Sequence, residues 1–183
     1  MSIRVTGGSL GGRFIHSPEG RDTRPTSAIS RQAIFNILRD VDGAKVLDLF
    51  AGSGIVSVEF LSHGAERAIL VDKGRAAIQL LHRNLREMGL QGQAEVIGND
   101  VTKFLHAGHA LQGSFDFIYA DPPFTQEYPD LRPFLAWLAP QGTAIFEMPT
   151  RQLPAWSSEA QSVRKYGESS LAFFAAQSVA PNC

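Results

Sequence analysis

Apolar residues along this chain recur in two rhythms that take turns. From Ala33 they fall at helical spacing, with Ala33, Ile34, Ile37 and Leu38 on one face. The run "KVLDLF" is then continuous, of strand length, and broken by a single acid before glycines close it. After it "IVSVEFLSHG" predicts a helix and "RAILVD" a strand. "GRAAIQLLHRNLREMG" predicts a helix whose Ala77, Ile78, Leu81, Leu85 and Met88 share a face and which Gly89 stops. "AEVIGN" reads as a strand, "VTKFLHAG" as a short helix, "FDFIYA" as a strand, "YPDLRPFLAWLA" as a helix with an early proline, and "GTAIFEM" as a strand. This alternation predicts a parallel sheet covered on both faces. Near the C-terminus "SVRKYG" and "LAFFAA" are close enough to pair as a hairpin. At the other end "IRV" and "RFIH", set among glycines, predict a small hairpin or arm, followed by the turn-rich "SPEGRDTRPTS". No fixed-period repeat and no long low-complexity linker interrupts the pattern.

Composition fits one domain: 183 residues with 44% hydrophobic content suffice for one sizeable core. Charge changes the picture more. The formal net charge is -1, yet residues 1–31 carry five arginines against Glu19 and Asp22, a net +3 that leaves about -4 on the remainder. A basic head on a slightly acidic body predicts a local docking surface for an anionic partner, with an arginine-rich solvated face as the equal alternative on charge alone. The single cysteine, Cys183, allows neither an intrachain disulfide nor a cysteine-based zinc site, which fits a reducing cytosol. There is no apolar signal core and no run of about 18 apolar residues, so a soluble, cytoplasmic protein is expected.

In an open parallel sheet ligands bind beyond the carboxyl ends of the strands, where loops and helix N-termini present free N–H groups. Several segments place chemistry on that edge. In "DLFAGSG", Gly52 and Gly54 allow a tight turn and a close backbone approach, and Asp48 is an acceptor for a bound amine or for loop N–H groups. Ser57, three places after the second glycine, leaves a dinucleotide open at this point. Asp72 ends "RAILVD", 18 residues beyond Gly54, a distance that suits two hydrogen bonds to ribose hydroxyls of any nucleoside cofactor. Asp100 in "GND" is either an acceptor for an adenine amino group or the N-cap of the next helix.

"ADPPF" carries the most information. Proline cannot continue a central ladder and forces Asp121 extended, so Pro122 and Pro123 end the strand and stiffen the turn. The Asp121 carboxylate, the Pro122 carbonyl and the Phe124 ring are then held together at the ligand edge. Such a trio suits a planar base bearing an exocyclic amine: two oxygens accept its N–H hydrogens, and stacking on the ring adds about 1–3 kcal/mol. The amine's lone pair is delocalised into the base. Two acceptors aimed at its hydrogens pull the nitrogen towards tetrahedral geometry and stabilise the positive charge that grows during attack. In-line methyl transfer from a sulfonium asks little more than such positioning in a dry pocket.

"DLFAGSG", Asp72, Asp100 and "DPPF" in this order resemble the S-adenosylmethionine-dependent amino-methyltransferases. With "IRVTGGSLGGRFI", "RDTRPTS", "SRQAIFNIL" and "RKYGESSLAFF" added, the chain from Arg4 to Phe174 resembles the RsmD family, bacterial enzymes that methylate N2 of a guanine in 16S ribosomal RNA. The resemblance implies an α/β, Rossmann-like class I methyltransferase fold: a mostly parallel seven-stranded sheet, a C-terminal antiparallel hairpin and a small N-terminal β-hairpin arm. It implies an arm and loop over residues 1–26, a methyltransferase domain over 27–177 and a tail over 178–183. S-adenosyl-L-methionine is the implied cofactor, lined by Asp48, Phe50, Ala51, Gly52, Ser53 and Gly54, with Asp72 on ribose, Asp100 and Val101 at adenine, and Thr26 near the entrance. Asp121, Pro122, Pro123 and Phe124 are the implied guanine-binding catalytic group. Arg4, Arg13, Arg24 and Arg31 are the implied RNA contacts, and the implied partner is small-subunit rRNA within the 30S particle, on which a monomeric enzyme acts with no metal and no membrane. Ala28, Ile29 and Gln32 depart from the charged residues that family members often carry there.

The alternatives are methylation of another RNA guanine or of adenine N6 in DNA, an RNA-binding module without catalysis, and an NAD-dependent oxidoreductase. The last leaves "DPPF" unexplained. His106 and His109 have helical spacing, but no nearby acids or cysteines complete a metal site, and a surface helix end is the expected reading.

Overall fold

A computed structural model of the chain describes residues 1–18, 27–38, 40–107, 111–123 and 128–176. A two-stranded antiparallel arm, β1 (Ser2–Arg4) and β2 (Phe14–His16), precedes α1 (Ala28–Leu38). Then follow β3 (Lys45–Leu49), α2 (Ile55–Ser62), β4 (Arg67–Asp72), α3 (Arg75–Met88), β5 (Ala94–Gly98), α4 (Val101–Ala107), β6 (Phe115–Ala120), β7 (Leu138–Pro149), β8 (Ser162–Tyr166) and β9 (Ser169–Ala175). The seven later strands form one sheet in the order β5-β4-β3-β6-β7-β9-β8. The β5 to β7 part is parallel, and β9 runs antiparallel to both β7 and β8.

Central strands read as unbroken apolar runs because both of their faces are covered. Val46, Leu70 and Tyr119 face one core with Val58, Phe60, Leu81 and Leu85. Their neighbours Leu47, Leu49, Val71, Ile118 and Ala120 face a second core with Val101, Phe104, Phe134 and Trp137. The stop at Gly89 is as expected: it adopts φ 74°, and its N–H and that of Leu90 close on the last turn of α3.

One expected element differs. "YPDLRPFLAWLA" forms a six-residue 3-10 helix, Arg132–Trp137, and Leu138 already turns extended (ψ 137°) to open β7, four residues before the expected strand. Pro133 sits in the first turn, where its missing N–H is tolerated, and the extended Leu138 ends the helix after six residues, too short a stretch for a stable α-helix. Packing serves its apolar residues instead: Trp137 meets Phe104 and Phe134 edge-on at centroid distances of 5.3 and 5.1 Å.

The arm is not a free appendage. All eight residues of α2 are buried, including Glu59 at its middle, because the sheet covers one side and the arm the other. Glu59 Oε1 accepts from the Thr6 N–H (2.7 Å), the Thr6 hydroxyl (2.8 Å) and Arg31 Nε (3.1 Å), and its Oε2 accepts from the Gly7 N–H (3.3 Å). Arg31 Nη2 donates to the Arg4 carbonyl at 2.9 Å. The segment "GGSLGG" wraps the C-terminal end of α2, where Ser62 O accepts the Ser9 N–H (2.7 Å) and Ser62 Oγ accepts that of Leu10 (2.9 Å). Gly8 is required there: its φ is +69°, and a Cβ would stand 2.0 Å from Ser62 O.

Candidate active site

Chain order and sheet order part company at β3: the chain proceeds outward to β4 and β5, then returns to place β6 on the other side of β3. That reversal opens a crevice beyond the carboxyl ends of β3 and β6. Leu49 is in register with Val71 on one side and Ala120 on the other, and Asp72 with Gly98. The residues that follow these positions therefore line one edge: Asp100, Asp72, the loop Phe50 to Gly54, and Asp121.

The loop is held by its backbone. Phe50 has φ 60°, the only positive φ at a non-glycine among the described residues, a conformation worth about 1–3 kcal/mol of strain. Gly52 (φ 54°) and Gly54 (φ 78°) follow in the same region. Ala51 N–H donates to Val71 O (3.1 Å), Gly54 N–H to Ala51 O (2.8 Å) and Gly52 N–H to Asp72 Oδ2 (3.0 Å), which together fix the turn. A Cβ on Gly54 would approach Leu81 Cδ2 to 2.7 Å, so only glycine lets the loop lie this close to α3. Helix α2 begins after Gly54, which as a glycine offers no side-chain cap, and the Asp48 carboxylate takes the backbone N–H of Ser57 in its first turn.

The three acids do different work. Asp72 is half-buried, and each oxygen takes one backbone hydrogen, from Gly52 and from Gly74 (2.7 Å). The remaining lone pairs can accept two hydroxyl hydrogens, as a ribose supplies. Asp48, 2% exposed on β3, accepts the Ser57 hydroxyl at 2.6 Å and so ties the strand to the first turn of α2. Burial, only partly offset by that bond, pushes its carboxyl up to about 7. Asp100 caps α4 through the Thr102 N–H (3.0 Å) and pairs with Lys73 at 3.1 Å. The Lys73 ammonium, helped by the N–H groups of Lys103 and Thr102, holds its carboxyl below the usual carboxylate range. The N-cap role does not exhaust its acceptor capacity. Val101, the first residue of α4, is buried against the second core.

At the end of β6, Asp121 is half-buried, Pro122 buried and Pro123 exposed. Behind them Glu147 on β7 accepts the Tyr119 hydroxyl at 2.8 Å through Oε2, and its carbonyl accepts the Tyr128 hydroxyl at 2.8 Å. Burial first, then the charges of Asp121 and Glu147, push the Tyr128 phenol up, so it stays a donor. The sequence placed Tyr128 at the start of an expected helix, and its bond to the Glu147 carbonyl comes from the fold. Phe124, Thr26 and Arg24 lie outside the described residues.

The remaining arginines separate. Arg4 and Arg13 are exposed on the arm, with Arg13 Nη2 donating to the Glu87 carbonyl at 2.8 Å. Arg31, expected at the RNA surface, is instead 3% exposed and committed to Glu59 and to the arm backbone. Its place on α1 explains this: it lies three residues before buried Ile34, on the inward face. Glu59, the one charged residue inside "IVSVEFLS", was the signal of such a buried partner. Asn84 was also detectable, since it lies three residues after Leu81 and four before Met88 on the buried face of α3. Among the described residues no group of three His, Cys, Asp or Glu side chains is placed to hold a metal, and no helix is long and apolar enough to cross a membrane.

Comparison with known proteins agrees with this architecture. The family model described as "Conserved hypothetical protein 95" matches residues 3–175. YlbH of Bacillus subtilis (strain 168), named as a candidate rRNA methyltransferase, is 40% identical over 126 residues, 68% of each chain. Ribosomal RNA small subunit methyltransferase D of Escherichia coli (strain K12) is 34% identical over 151 residues, 79% of this chain and 74% of that one. Among solved structures, the candidate methyltransferase yhhF of Escherichia coli superposes with a TM-score of 0.81 at 26% identity, over 97% of this chain and 99% of that one. A class I methyltransferase sheet, a glycine loop facing Asp-Pro-Pro across its switch point, and a family match over nearly the whole length agree: the chain belongs to the RsmD family.

Proposed function

We propose that this protein transfers a methyl group from S-adenosyl-L-methionine to the exocyclic N2 of a guanine in small-subunit ribosomal RNA. The observation that carries the reading is the register of Leu49 with Ala120, which sets the glycine loop and Asp121 side by side at the crevice, in a chain of the RsmD family. The residues fit the cofactor: the loop's backbone can come close to it, Asp72 retains acceptors for two ribose hydroxyls, and Asp100 with the first turn of α4 stands at the adenine end. When bound, the cofactor supplies an electrophilic methyl on a sulfonium.

The rest of the chemistry belongs to the chain. Asp121 and the Pro122 carbonyl accept the two N2 hydrogens and aim the nitrogen lone pair; Phe124 stacks on the base. Were a methyl to pass to N2, the two acceptors would stabilise the positive charge growing on nitrogen, and the proton it then sheds would pass to solvent. The rigid Pro122-Pro123 turn keeps the acceptors in place, and binding supplies orientation in place of an enzyme nucleophile. A guanine in folded RNA must leave its stack to reach this edge, at a few kcal/mol. Arg4 and Arg13 hold RNA phosphate. A substrate already assembled as the 30S particle suits a chain whose formal charge is only -1, because shape then substitutes for bulk attraction. The enzyme acts as a cytoplasmic monomer.

The test is transfer of labelled methyl to small-subunit particles lacking the modification, with naked rRNA and duplex DNA in parallel and nucleoside analysis of the product. N2-methylguanosine from the particles is expected. Asp121→Ala abolishes transfer with cofactor binding near normal, while Asp72→Ala weakens cofactor binding first. A fully active Asp121→Ala enzyme, or label on DNA, overturns the reading.

A further inference from the structure

Asn84 sits at a junction that the chemistry above does not use. It is 1% exposed on α3. Its Oδ1 accepts the His16 N–H at 2.9 Å, and its Nδ2 donates both hydrogens, to His16 O at 2.9 Å and to Ser53 O at 2.8 Å. His16 is the last residue of β2 in the arm; Ser53 is the buried centre of the glycine loop, between Gly52, whose N–H is held by Asp72, and Gly54, where α2 begins. One amide group thus joins the arm that carries Arg4 and Arg13 to the loop that faces the cofactor.

We infer that Asn84 is a positioning residue that couples cofactor binding to the seating of the RNA-binding arm. The inference rests on the cofactor reading proposed above. Both Nδ2 hydrogens are spent, so displacing either the loop or the arm leaves a polar group buried without a partner, and the two segments are most stable when both are in place. A cofactor that fixes the Ser53 carbonyl therefore steadies the Asn84 amide, and through it the backbone of His16. The same link runs backwards: RNA that seats the arm tightens the cofactor loop by an equal factor. A neighbouring surface cluster reinforces the junction without reaching the loop: His16 Nε2 meets Glu87 Oε2 at 2.9 Å, and Arg83 and Arg13 both bond to Glu87. The arm's other anchors on α2, at Glu59 and Ser62, make no bond to the residues of the loop.

The His16 N–H is itself the probe, because its exchange with solvent requires the Asn84 bond to open. Amide hydrogen exchange is measured on the full chain with and without saturating S-adenosylhomocysteine. In the unaltered protein the ligand slows exchange at His16 by roughly 5-fold or more, the low end of ordinary coupling between sites, while amides of β8 at the far sheet edge are unmoved. Asn84→Asp keeps the acceptor for His16 N–H but sets oxygen against the Ser53 and His16 carbonyls; it weakens ligand binding and abolishes the slowing. Asn84→Ser, which removes the bridge with less repulsion, does the same. Binding of the ligand with His16 exchange unchanged in the unaltered chain overturns the coupling alone, as does slowing that survives in either variant. Failure of the unaltered chain to bind the ligand overturns the cofactor reading together with it.

Discussion

Replacing Arg31 by methionine distinguishes an arm anchor from an RNA contact. Methionine fills much of the same volume without charge, so the change strips Glu59 of its cationic partner while leaving the Thr6 and Gly7 donors in place. Both side chains are almost wholly buried, at 3% and 0% exposure, so water cannot take over the abandoned carboxylate. Breaking one partner of such a pair costs about 3–5 kcal/mol, a large part of the roughly 5–15 kcal/mol that holds an ordinary domain. With a urea slope of about 2 kcal/mol per M, the unfolding midpoint falls by roughly 2 M. The double variant Arg31→Met/Glu59→Gln supplies the decisive arm. Glutamine still accepts from Thr6 and carries no uncompensated charge, so the double variant is more stable than Arg31→Met alone. Urea unfolding of the four proteins of this cycle is the assay. A midpoint unchanged by Arg31→Met, accompanied by weaker binding to small-subunit particles, would refute the anchor and restore Arg31 to the RNA surface. A double variant no more stable than the single would refute the buried-charge account.

Two further outcomes follow from the same geometry. The Asp48 carboxyl, pushed up to about 7 from 3.8, keeps a proton in the folded chain that the unfolded chain releases, so its contribution is full below about pH 4 and declines as pH rises to 7, by roughly 4 kcal/mol at 1.4 kcal/mol per pH unit. Asp48→Asn still accepts from Ser57 and removes that decline; equal slopes of stability against pH in both proteins would count against it. Gly8→Ala and Gly43→Ala share φ values of +69° and +68°, but only Gly8 has a carbonyl where the methyl must go. Gly43→Ala therefore loses about 1–2 kcal/mol and Gly8→Ala clearly more, with faster amide exchange at Ser9 and Leu10; equal losses would remove the close approach from the account.

Much of the fold was legible because central parallel strands announce themselves: "RAILVD" and "FDFIYA" match β4 and β6 residue for residue, being apolar runs bounded by acids or glycines. The ligand edge was legible for the same reason, since Asp72 and Asp121 mark where those runs stop. What escaped was set by contacts distant in sequence. The periodicity of "LRPFLAW" does not distinguish an α-helix from a 3-10 turn, as its apolar residues are buried around Trp137 in either case. The glycines of "TGGSLGG" predicted a turn, but not that the turn would cap α2, because Ser62 lies more than fifty residues away. Arg31 was expected as an RNA contact and Asp48 as an acceptor beside the glycine loop; burial commits the first to Glu59 and raises the carboxyl of the second, neither of which local sequence announces.

The arm's docking also fixes an order of events during synthesis. Residues 1–18 leave the translating machinery well before their partners: Thr6 waits 53 residues for Glu59, and His16 waits 68 for Asn84. Until α2 and α3 exist, the two three-residue strands have nothing to close against, and so short a hairpin does not hold by itself in water. The nascent chain therefore carries its arginines unformed past the very class of RNA that surrounds it. The arm therefore takes its shape only after α2 and α3 have formed, and the two arginines it exposes, Arg4 and Arg13, reach fixed positions later than their place in the chain suggests.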